Sequence, residues 1–539
     1  MSIGDRIASS SACLGVCLLA MLPAWAQAQA FADAKKGLVN YTKADHVPRV
    51  SCDALTAMKL PDLVDLRARA VPADAAAPAH CRVNGVIAPE VAFEVNLPAR
   101  WNGRFYMIGN GGHAGDSPDN PGRAAQRAEA LQLGFAMAST NTGHDASKEP
   151  QATFALGSPQ KAIDYAYRAV HVSAVAAKDL AKTYYARPVA HAYWNSCSNG
   201  GRQGLIEAQR FPDDFDGVVA NAPWTDQTGF TIGAMWNHRA VTEAPLSSEK
   251  MALVASRVMA TCDAVDGLTD GLIDDPRACR FDPAKDVPAC GAGGAGASTA
   301  ACLTSAEAGA LTRIYGGVTS NGKPFFPGFM PGSEAVVPGP GGTAASGWMN
   351  LIVPRQADAK PADFNLAEST MKYLAFDPPK PDYDVRTFDF DKDPSLLVRW
   401  GALANANNPD LSSFRTRGGK VLMTYGWADS ILQPMMGVNY YERALETNGP
   451  GTTDFFRLFM VPGMAHCGGG VGPDRHDAMT AIIDWVEKGK APDTLLASKV
   501  VADKVVRTRP LCAYPQVARY SGKGSIDDAA NFRCTTPGR

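Results

Sequence analysis

The chain has 539 residues, of which 46% are hydrophobic and 20% charged, and this balance excludes an intrinsically disordered protein. A chain of that length is usually too long to fold around a single hydrophobic core, so we expect two domains, or one domain with a large insertion. The formal net charge of −2 gives no electrostatic reason to expect nucleic acid or an anionic membrane as a partner.

The first thirty residues have the composition of a secretory signal. Arg6 supplies a positive start, residues 11–25 are apolar, and A-W-A-Q-A-Q-A at 24–30 offers several cleavage sites between small residues. An N-terminal membrane anchor is the alternative, but the apolar run at 11–25 is short for a spanning helix. No later apolar run approaches the roughly 20 residues that such a helix needs. We therefore expect residues 1–30 to be removed and the mature protein to be secreted or periplasmic, without a membrane partner.

Strand and helix patterns then alternate along the chain. Residues 81–98 alternate in polarity as strands do, and residues 103–115 form an apolar strand that ends in the glycine-rich turn G-N-G-G-H-A-G. Residues 161–185 have apolar side chains at helical spacing, and residues 188–196 again have a strand pattern. This alternation predicts an α/β fold with a mainly parallel sheet.

The regular pattern weakens from about Trp224 to about Ser412, where glycine and proline are frequent. It returns with the apolar strands at 418–429 and 454–463. We predict an α/β domain built from residues 31–224 and 413–539, interrupted by an inserted domain at residues 225–412.

Cysteine usage points to disulfides. Of the 12 cysteines, Cys13 and Cys17 leave with the signal, and the even number that remains favours five disulfides in an oxidising compartment. A zinc site is the rival, but no C-x-x-C pair or Cys/His cluster has the required spacing. If cysteines that are neighbours in the sequence pair, Cys197 and Cys467 remain and would pair with each other. The neighbouring pairs are Cys52–Cys81, Cys262–Cys279, Cys290–Cys302 and Cys512–Cys534.

Ser198 lies where an apolar strand pattern meets a glycine-rich helix start, in the stretch A-Y-W-N-S-C-S-N-G-G-R-Q-G. The small residues Ser196 and Gly200, two positions before and after it, would let strand and helix pass closely, as in the nucleophile elbow of an α/β-hydrolase. The alternatives are an ordinary glycine-rich turn and Cys197 as the nucleophile. A free nucleophilic thiol would leave Cys467 without a role and would be open to oxidation outside the cell.

An acid and a histidine follow in the order that this fold requires. Asp429 lies in the loop after one apolar strand, and His466 lies in the loop after the next. Taken singly, the aspartate could cap a helix and the histidine could be an ordinary buried or surface residue. Together they predict a triad in which His466 takes the proton of Ser198 and Asp429 orients the imidazole.

The glycine-rich turn and the elbow would supply the oxyanion hole. The N–H of Asn199, which follows the nucleophile, is one expected donor, and the N–H of Gly111 or Gly112 is the other. A phosphate-binding turn is the alternative, but the spacing fits neither a dinucleotide fingerprint nor a P-loop. The Cys197–Cys467 bridge would tether the elbow to the histidine loop.

The motifs C-S-N-G-G (197–201), G-W-A-D-S-I-L-Q-P (426–434) and H-C-G-G-G (466–470) resemble those of the tannase/feruloyl esterase family. Similar stretches at 101–112 and 210–224 extend the resemblance over nearly all of the mature chain. The resemblance implies an α/β-hydrolase fold with a large lid domain inserted after the nucleophile elbow. It further implies a secreted serine esterase acting on small aromatic esters of phenolic or benzoic acids.

The inserted segment contains an acidic loop, C-D-A-V-D-G-L-T-D-G-L-I-D-D-P-R-A-C. Asp263, Asp266 and Asp270 alternate there with backbone carbonyls, and such hard oxygen ligands suit Ca²⁺. An acidic, solvated loop is the alternative. By the family resemblance, the ligands of a structural calcium ion are these three carboxylates and the carbonyls of Leu268 and Leu272, and no organic cofactor is expected.

The sequence leaves the acyl group open among feruloyl, galloyl and terephthaloyl esters, and it does not define the oligomeric state. A terephthalate-monoester hydrolase, a peptidase on the same triad and a non-catalytic binding protein are the alternatives. Arg355 could pair with a substrate carboxylate, although a surface role is more common for such a residue. The aromatic residues available to cover a substrate ring are Trp224, Phe230, Trp236, Phe325, Phe326, Trp348 and Tyr373.

Overall fold

The computed structural model describes residues 30–291, 299–335, 347–356 and 359–537. The predicted signal peptide, except its last residue, lies outside the described residues, as does most of the glycine-rich stretch at 290–298. Within the described residues, no helix has both the length and the apolar character needed to cross a membrane.

The strands of the described chain are β1 (Leu63–Val71), β2 (His80–Ile87), β3 (Val91–Pro98), β4 (Arg104–Met107), β5 (Ala136–Thr140), β6 (His191–Cys197), β7 (Gly217–Asn221), β8 (Val318–Ser320), β9 (Lys323–Phe326), β10 (Lys420–Gly426), β11 (Phe456–Val461), β12 (Arg475–His476), β13 (Thr494–Val501), β14 (Lys504–Cys512), β15 (Val517–Tyr520) and β16 (Phe532–Thr535). The helices are α1 (Ala124–Gln132), α2 (Pro159–Ile163), α3 (Ala169–Tyr185), α4 (Asn199–Arg210), α5 (Gln227–Glu243), α6 (Ser248–Cys262), α7 (Pro283–Asp286), α8 (Ser305–Gly316), α9 (Ala362–Tyr373), α10 (Val398–Ala404), α11 (Ser412–Thr416), α12 (Pro434–Asn448) and α13 (Ala478–Lys488).

Nine strands form one central sheet in the order β1-β2-β3-β5-β4-β6-β7-β10-β11. The pairs β1–β2, β2–β3 and β3–β5 are antiparallel, whereas all pairs from β5 onward to β11 are parallel. The predicted α/β fold with a mainly parallel sheet is therefore confirmed. Because β4, β6, β7, β10 and β11 run in the same direction, the loops that follow them emerge at one edge of the sheet, where α/β proteins build their sites.

Helices cover both faces of this sheet, which explains why its central strands are apolar almost throughout. On one face, Trp194 and Val218 pack with Leu205 of α4 in the largest hydrophobic cluster. On the other face, their strand neighbours Tyr193 and Val219 pack with helix α13 in a second cluster. Successive side chains of a strand point to opposite faces, so both sides of β6 and β7 are buried.

One helix differs from its prediction. The expected continuous helix over 161–185 is α2 and α3 joined by a π-helical turn at Asp164–Arg168. At this turn the buried guanidinium of Arg202 donates to the carbonyl oxygens of Tyr165 (3.1 Å) and Ala166 (2.8 Å). Such single π turns inside helices occur frequently at functional sites.

The residues between the paired strands β7 and β10 carry α5 to α11 and the β8–β9 hairpin. Part of this segment has a hydrophobic cluster of its own, which is drawn from residues 240–353 and includes Trp348. Helix α5 also packs on the main core through Phe230 and Ile232. The predicted bounds of the inserted domain, 225–412, lie between these two strands and remain a prediction.

The close packing of α4 on β6 gives a stability prediction. A Cβ added at Gly204 would lie 2.5 Å from Cδ1 of Trp194, whereas one added at Gly309 of α8 meets nothing within 4 Å. We expect Gly204→Ala to lower the free energy of unfolding by about 1–3 kcal/mol through overpacking. The matched variant Gly309→Ala should be neutral or stabilising by up to about 1 kcal/mol. Equal unfolding free energies for the two variants in urea titrations would contradict the packing described.

Candidate active site

Ser198 lies at the corner between β6 and α4 and is partly exposed. Its backbone has φ 63° and ψ −126°, a conformation that non-glycine residues seldom adopt. Three backbone hydrogen bonds hold it: its N–H donates to Asn221 O (3.0 Å), and its carbonyl accepts from Arg202 N (3.0 Å) and Trp224 N (3.1 Å). These hydrogen bonds hold the strained turn in place, and the turn exposes the hydroxyl. Strained residues persist only where the surrounding structure holds them, and they cluster at functional sites.

Small residues flank this turn because strand and helix pass very closely. A Cβ at Gly200 would lie 2.0 Å from Oγ of Ser196, and one at Gly201 would lie 2.7 Å from the carbonyl oxygen of Asn221. No larger side chain fits at either glycine without moving the backbone. The small residue on each side of Ser198 thus has the spatial reason that the sequence pattern predicts.

Asp429 and His466 meet in the loops that follow β10 and β11. His466 Nδ1 lies 2.7 Å from Asp429 Oδ2, and the other carboxylate oxygen accepts from the N–H groups of Ile431 (3.0 Å) and Leu432 (2.9 Å). Asp429 is fully buried, while His466 remains partly exposed. With Asp429 accepting at Nδ1, the proton of the neutral imidazole lies on that nitrogen and Nε2 is free to act as a base.

The Cys197–Cys467 disulfide joins the elbow to the histidine loop. The two Cα atoms are 5.9 Å apart, and a ring nitrogen of His466 lies within 4.8 Å of both sulfur atoms. Among the described residues, no hydrogen bond joins Ser198 Oγ to His466, and such contacts are often long in enzymes without substrate. The remaining pairs are those expected from the sequence: Cys52–Cys81, Cys262–Cys279, Cys290–Cys302 and Cys512–Cys534.

The two predicted sources of oxyanion donors lie against each other. Asn199 is the first residue of α4, so its N–H has no partner within the helix and lies at the positive end of the helix dipole. The loop after β4 packs on the elbow, since a Cβ at Gly109 would lie 2.8 Å from Gly200 Cα. Within this loop Gly111 is exposed and Gly112 has φ +50°.

A polar network behind the elbow was not predicted from the sequence. Arg202 is completely buried and donates from Nε to Asn199 Oδ1 (2.6 Å). The hydroxyl of Tyr165 lies 3.2 Å from the carbonyl oxygen of Gly112 and 3.4 Å from Asn199 Oδ1. No local pattern signals the contacts of Tyr165, because they join residues that lie 34 or more positions apart in the sequence.

The glycine loop also contacts the segment inserted between β7 and β10. His113 is buried, with Nε2 3.1 Å from Thr370 Oγ1 of α9 and Nδ1 3.1 Å from Gln151 Oε1. Burial lowers the pKa of His113 to about 4, so this imidazole is neutral at neutral pH. Leu366 of α9 would be 3.8 Å from a Cβ at Gly112, which places this helix over the loop.

The aromatic candidates for a substrate pocket are placed differently from one another. Trp224 contacts the elbow through its backbone, and its ring packs edge-on against Phe230 at 4.9 Å between centroids. Trp348 instead packs with Tyr315 inside the cluster of the inserted segment. The other candidates range from buried Phe326, through partly buried Trp236 and Tyr373, to exposed Phe325, and Arg355 is exposed.

The acidic loop brings together more carboxylate groups than there are cationic side chains bound to them. Asp263 accepts from Asp270 N (3.2 Å) and Gly271 N (3.0 Å), and Asp270 Oδ2 accepts from Arg509 Nη2 (2.6 Å). Oδ2 of Asp266 is buried and has no hydrogen-bond partner among the described residues. Asp274, which was not predicted to belong to the cluster, is buried, and its burial and the nearby Asp266 charge raise its pKa to about 7. An all-oxygen site with this excess of acid fits a hard divalent cation.

Known proteins resemble this chain over most of its length. The profile of the family described as tannase and feruloyl esterase matches residues 75–535. A mono(2-hydroxyethyl) terephthalate hydrolase of Piscinibacter sakaiensis is 36% identical over 522 residues, covering 86% of each chain. A probable feruloyl esterase of Arthroderma benhamiae is 31% identical over 476 residues, covering 84% of each. The crystal structure of feruloyl esterase B from Aspergillus oryzae matches with a TM-score of 0.73 and 29% identity, covering 90% of this chain and 100% of that one.

The long-range disulfide gives a second stability prediction. Removing it in Cys197→Ala/Cys467→Ala should lower the free energy of unfolding by about 5 kcal/mol, because a loop of 270 residues is released in the unfolded chain. The control Cys512→Ala/Cys534→Ala, which opens a loop of 22 residues, should lose about 3 kcal/mol. Denaturant titration of both variants measures the difference. A smaller loss for the 197–467 pair than for the 512–534 pair would contradict the prediction.

Proposed function

Because the chain belongs to the tannase and feruloyl esterase family of carboxylic ester hydrolases, we propose that it is an exported serine esterase for esters of aromatic carboxylic acids. The observation that carries this proposal is the hydrogen-bonded Asp429–His466 pair, linked by a disulfide to the strained turn that presents Ser198. This set supplies a nucleophile, a base and an orienting acid on three separate loops.

In the proposed mechanism, Ser198 Oγ attacks the acyl carbon while His466 Nε2 takes its proton. The tetrahedral oxyanion accepts hydrogen bonds from Asn199 N–H and from Gly111 or Gly112 N–H. Collapse expels the alcohol, which receives the proton from His466, and leaves an acyl-enzyme. A water molecule deprotonated by His466 then attacks the acyl carbon, and the acid departs as Ser198 regains its proton. Asp429 remains ionised throughout and stabilises the imidazolium.

The names of the relatives support an aromatic acyl group. One is a hydrolase of a terephthalate monoester and another a probable feruloyl esterase, and both esters carry an aromatic ring on the acyl side. Trp224 and Phe230, which pack edge-on beside the elbow, are almost completely buried, so the support for an aromatic acyl group comes from the relatives. A terephthalate-monoester hydrolase is the second candidate, favoured by the higher identity of 36% to that relative.

Export is proposed from the cysteines together with the predicted signal. All ten cysteines of the described chain are paired in five disulfides. Disulfides of this number form and persist in oxidising compartments and are rare in the cytosol. The protein is therefore expected to act in the periplasm or outside the cell.

We also propose that the acidic loop binds a structural calcium ion. Asp263, Asp266 and Asp270, with the carbonyls of Leu268 and Leu272, would hold it, and its charge would compensate the buried carboxylate of Asp266. The ion would stiffen the inserted segment and would take no part in ester cleavage.

Covalent labelling tests the proposed nucleophile. A fluorophosphonate should modify Ser198 in the folded protein, as peptide mapping would reveal, because His466 activates only that hydroxyl. Ser198→Ala should abolish the label and lower kcat/KM by at least about 10⁴-fold, whereas Ser395→Ala, an exposed serine, should change neither. Labelling elsewhere in the folded protein with Ser198 untouched would refute the proposal.

A substrate panel tests the acyl group. We expect methyl ferulate, methyl gallate or a terephthalate monoester to be cleaved with higher kcat/KM than methyl esters of short aliphatic acids, since the ring would bury apolar surface. The best of the three identifies the acyl class. Faster hydrolysis of an aliphatic ester, or of a p-nitroanilide, would contradict an aromatic esterase.

Chelation tests the calcium site. Stripping with EGTA should lower the melting temperature, because a ligand bound only by the folded state stabilises it by mass action. Asp266→Asn should remove this dependence on calcium, and the exposed control Asp382→Asn should retain it. Calorimetric titration of the stripped protein measures binding directly. An identical melting temperature in EGTA and in excess calcium would count against the site.

A further inference from the structure

The hydroxyl of Tyr165 lies where three parts of the candidate site meet. It is 3.2 Å from the carbonyl oxygen of Gly112 in the glycine loop and 3.4 Å from Oδ1 of Asn199 at the elbow. Gln227, the first residue of α5, donates to it from Nε2 at 2.7 Å. One buried oxygen atom therefore contacts both proposed sources of oxyanion donors and the start of the segment inserted between β7 and β10.

The proton count assigns a direction to each contact. A phenol has one proton to donate and can accept two hydrogen bonds. Gln227 Nε2 is a donor, so Tyr165 accepts from it and donates its own proton towards Gly112 O and Asn199 Oδ1, both of which are acceptors. Burial raises the pKa of Tyr165, which keeps the phenol protonated at neutral pH.

The ring itself has little freedom to move. The guanidinium carbon of Arg202 lies 5.1 Å from the ring centroid, and Arg202 also donates to the backbone carbonyl of Tyr165 and to Asn199 Oδ1. On another side, the ring stacks on Trp400 with 6.0 Å between centroids. Tyr165 belongs to the π-helical turn, so the irregular backbone and the buried cation together fix where its hydroxyl lies.

We propose that Tyr165 is a positioning residue that sets the spacing between the two oxyanion donors, Asn199 N–H and the N–H groups of the Gly111–Gly112 turn. This inference rests on the proposed function. The Tyr165 hydroxyl contacts the side chain of Asn199 and the carbonyl oxygen of Gly112. It therefore affects the geometry of the oxyanion hole without contacting the substrate. Its effect is therefore larger on the tetrahedral transition state than on the bound ester.

Tyr165→Phe removes only this hydroxyl. We expect kcat for the best ester of the panel to fall by about 10- to 100-fold with KM little changed, because donors displaced by a fraction of an ångström stabilise the oxyanion poorly. The inhibition constant of phenylboronic acid, which forms a tetrahedral adduct with the serine, should rise by a similar factor. The inhibition constant of benzoate, a planar acid, should remain unchanged.

Tyr185→Phe is the matched control, since Tyr185 is also buried and its hydroxyl donates to a backbone carbonyl, that of Pro98 at 2.6 Å. It should lose comparable stability and keep wild-type kcat. Gln227→Met is a second variant, which removes the donor to Tyr165 and should lower kcat in the same direction by a smaller factor.

Two results would overturn the inference while leaving the esterase intact. The first is wild-type kcat and phenylboronic acid affinity in Tyr165→Phe. The second is an equal weakening of phenylboronic acid and benzoate, which is expected of a merely loosened pocket. A wild-type protein that is not labelled at Ser198 would instead overturn the proposed function, and this inference with it.

Discussion

The disulfide between Cys197 and Cys467 is the constraint on which the candidate site depends. The parallel sheet brings the ends of β6 and β11 to one edge, but two intervening strands, β7 and β10, separate them in the sheet. The bond draws the two loops across that gap and fixes their Cα atoms 5.9 Å apart. Both loops are unfavourable by themselves, because Ser198 has φ 63° and Cys467 has φ 62°. The three glycines after Cys467 continue the positive φ values, which few other residues could adopt.

Burial of polar groups is the second theme of the site. Asp429 is fully buried, yet it accepts hydrogen bonds at both carboxylate oxygens, so its charge is stabilised without solvent. The buried guanidinium of Arg202 also has hydrogen-bond partners. It donates to Asn199 Oδ1, to two carbonyl oxygens of the π-helical turn and to the carbonyl oxygen of Ala404 in α10. These hydrogen bonds hold Arg202 and Asn199 in place, although Nδ2 of Asn199 has no partner among the described residues. Rigidity is the property that a preorganised oxyanion hole requires.

The parts of this site that have a local sequence pattern could be predicted from the sequence. Glycine and serine around Ser198 reflect a close crossing of strand and helix, and Asp429 and His466 lie in the loops that follow two apolar strands, β10 and β11. The disulfide partners followed from counting neighbours. The loop after β4 was likewise recognisable from its glycines, although which glycine donates is a matter of backbone direction that composition does not encode.

The remaining features depend on contacts between distant segments. At the π-helical turn Arg202 donates to the carbonyl oxygens of Tyr165 and Ala166, and helical periodicity alone gives no sign of either the turn or these contacts. Tyr165 has the spacing of a core residue, so its polar role is invisible in the pattern. In the sequence Asp274 cannot be distinguished from the other aspartates of the acidic stretch, because its burial beside Asp266 depends on the fold.

The acidic loop is held by arginines from the far end of the chain. Arg509 binds the Asp270 carboxylate, Arg507 its carbonyl, and Arg519 the carbonyl of Asp266. Asp270 and Arg509 are 239 residues apart, and ribosomes add about 5–20 residues per second. The loop consequently emerges roughly 10–50 seconds before Arg509, the cation that binds the Asp270 carboxylate. The final closure of this corner of the molecule therefore waits for β14 and β15, which carry the three arginines.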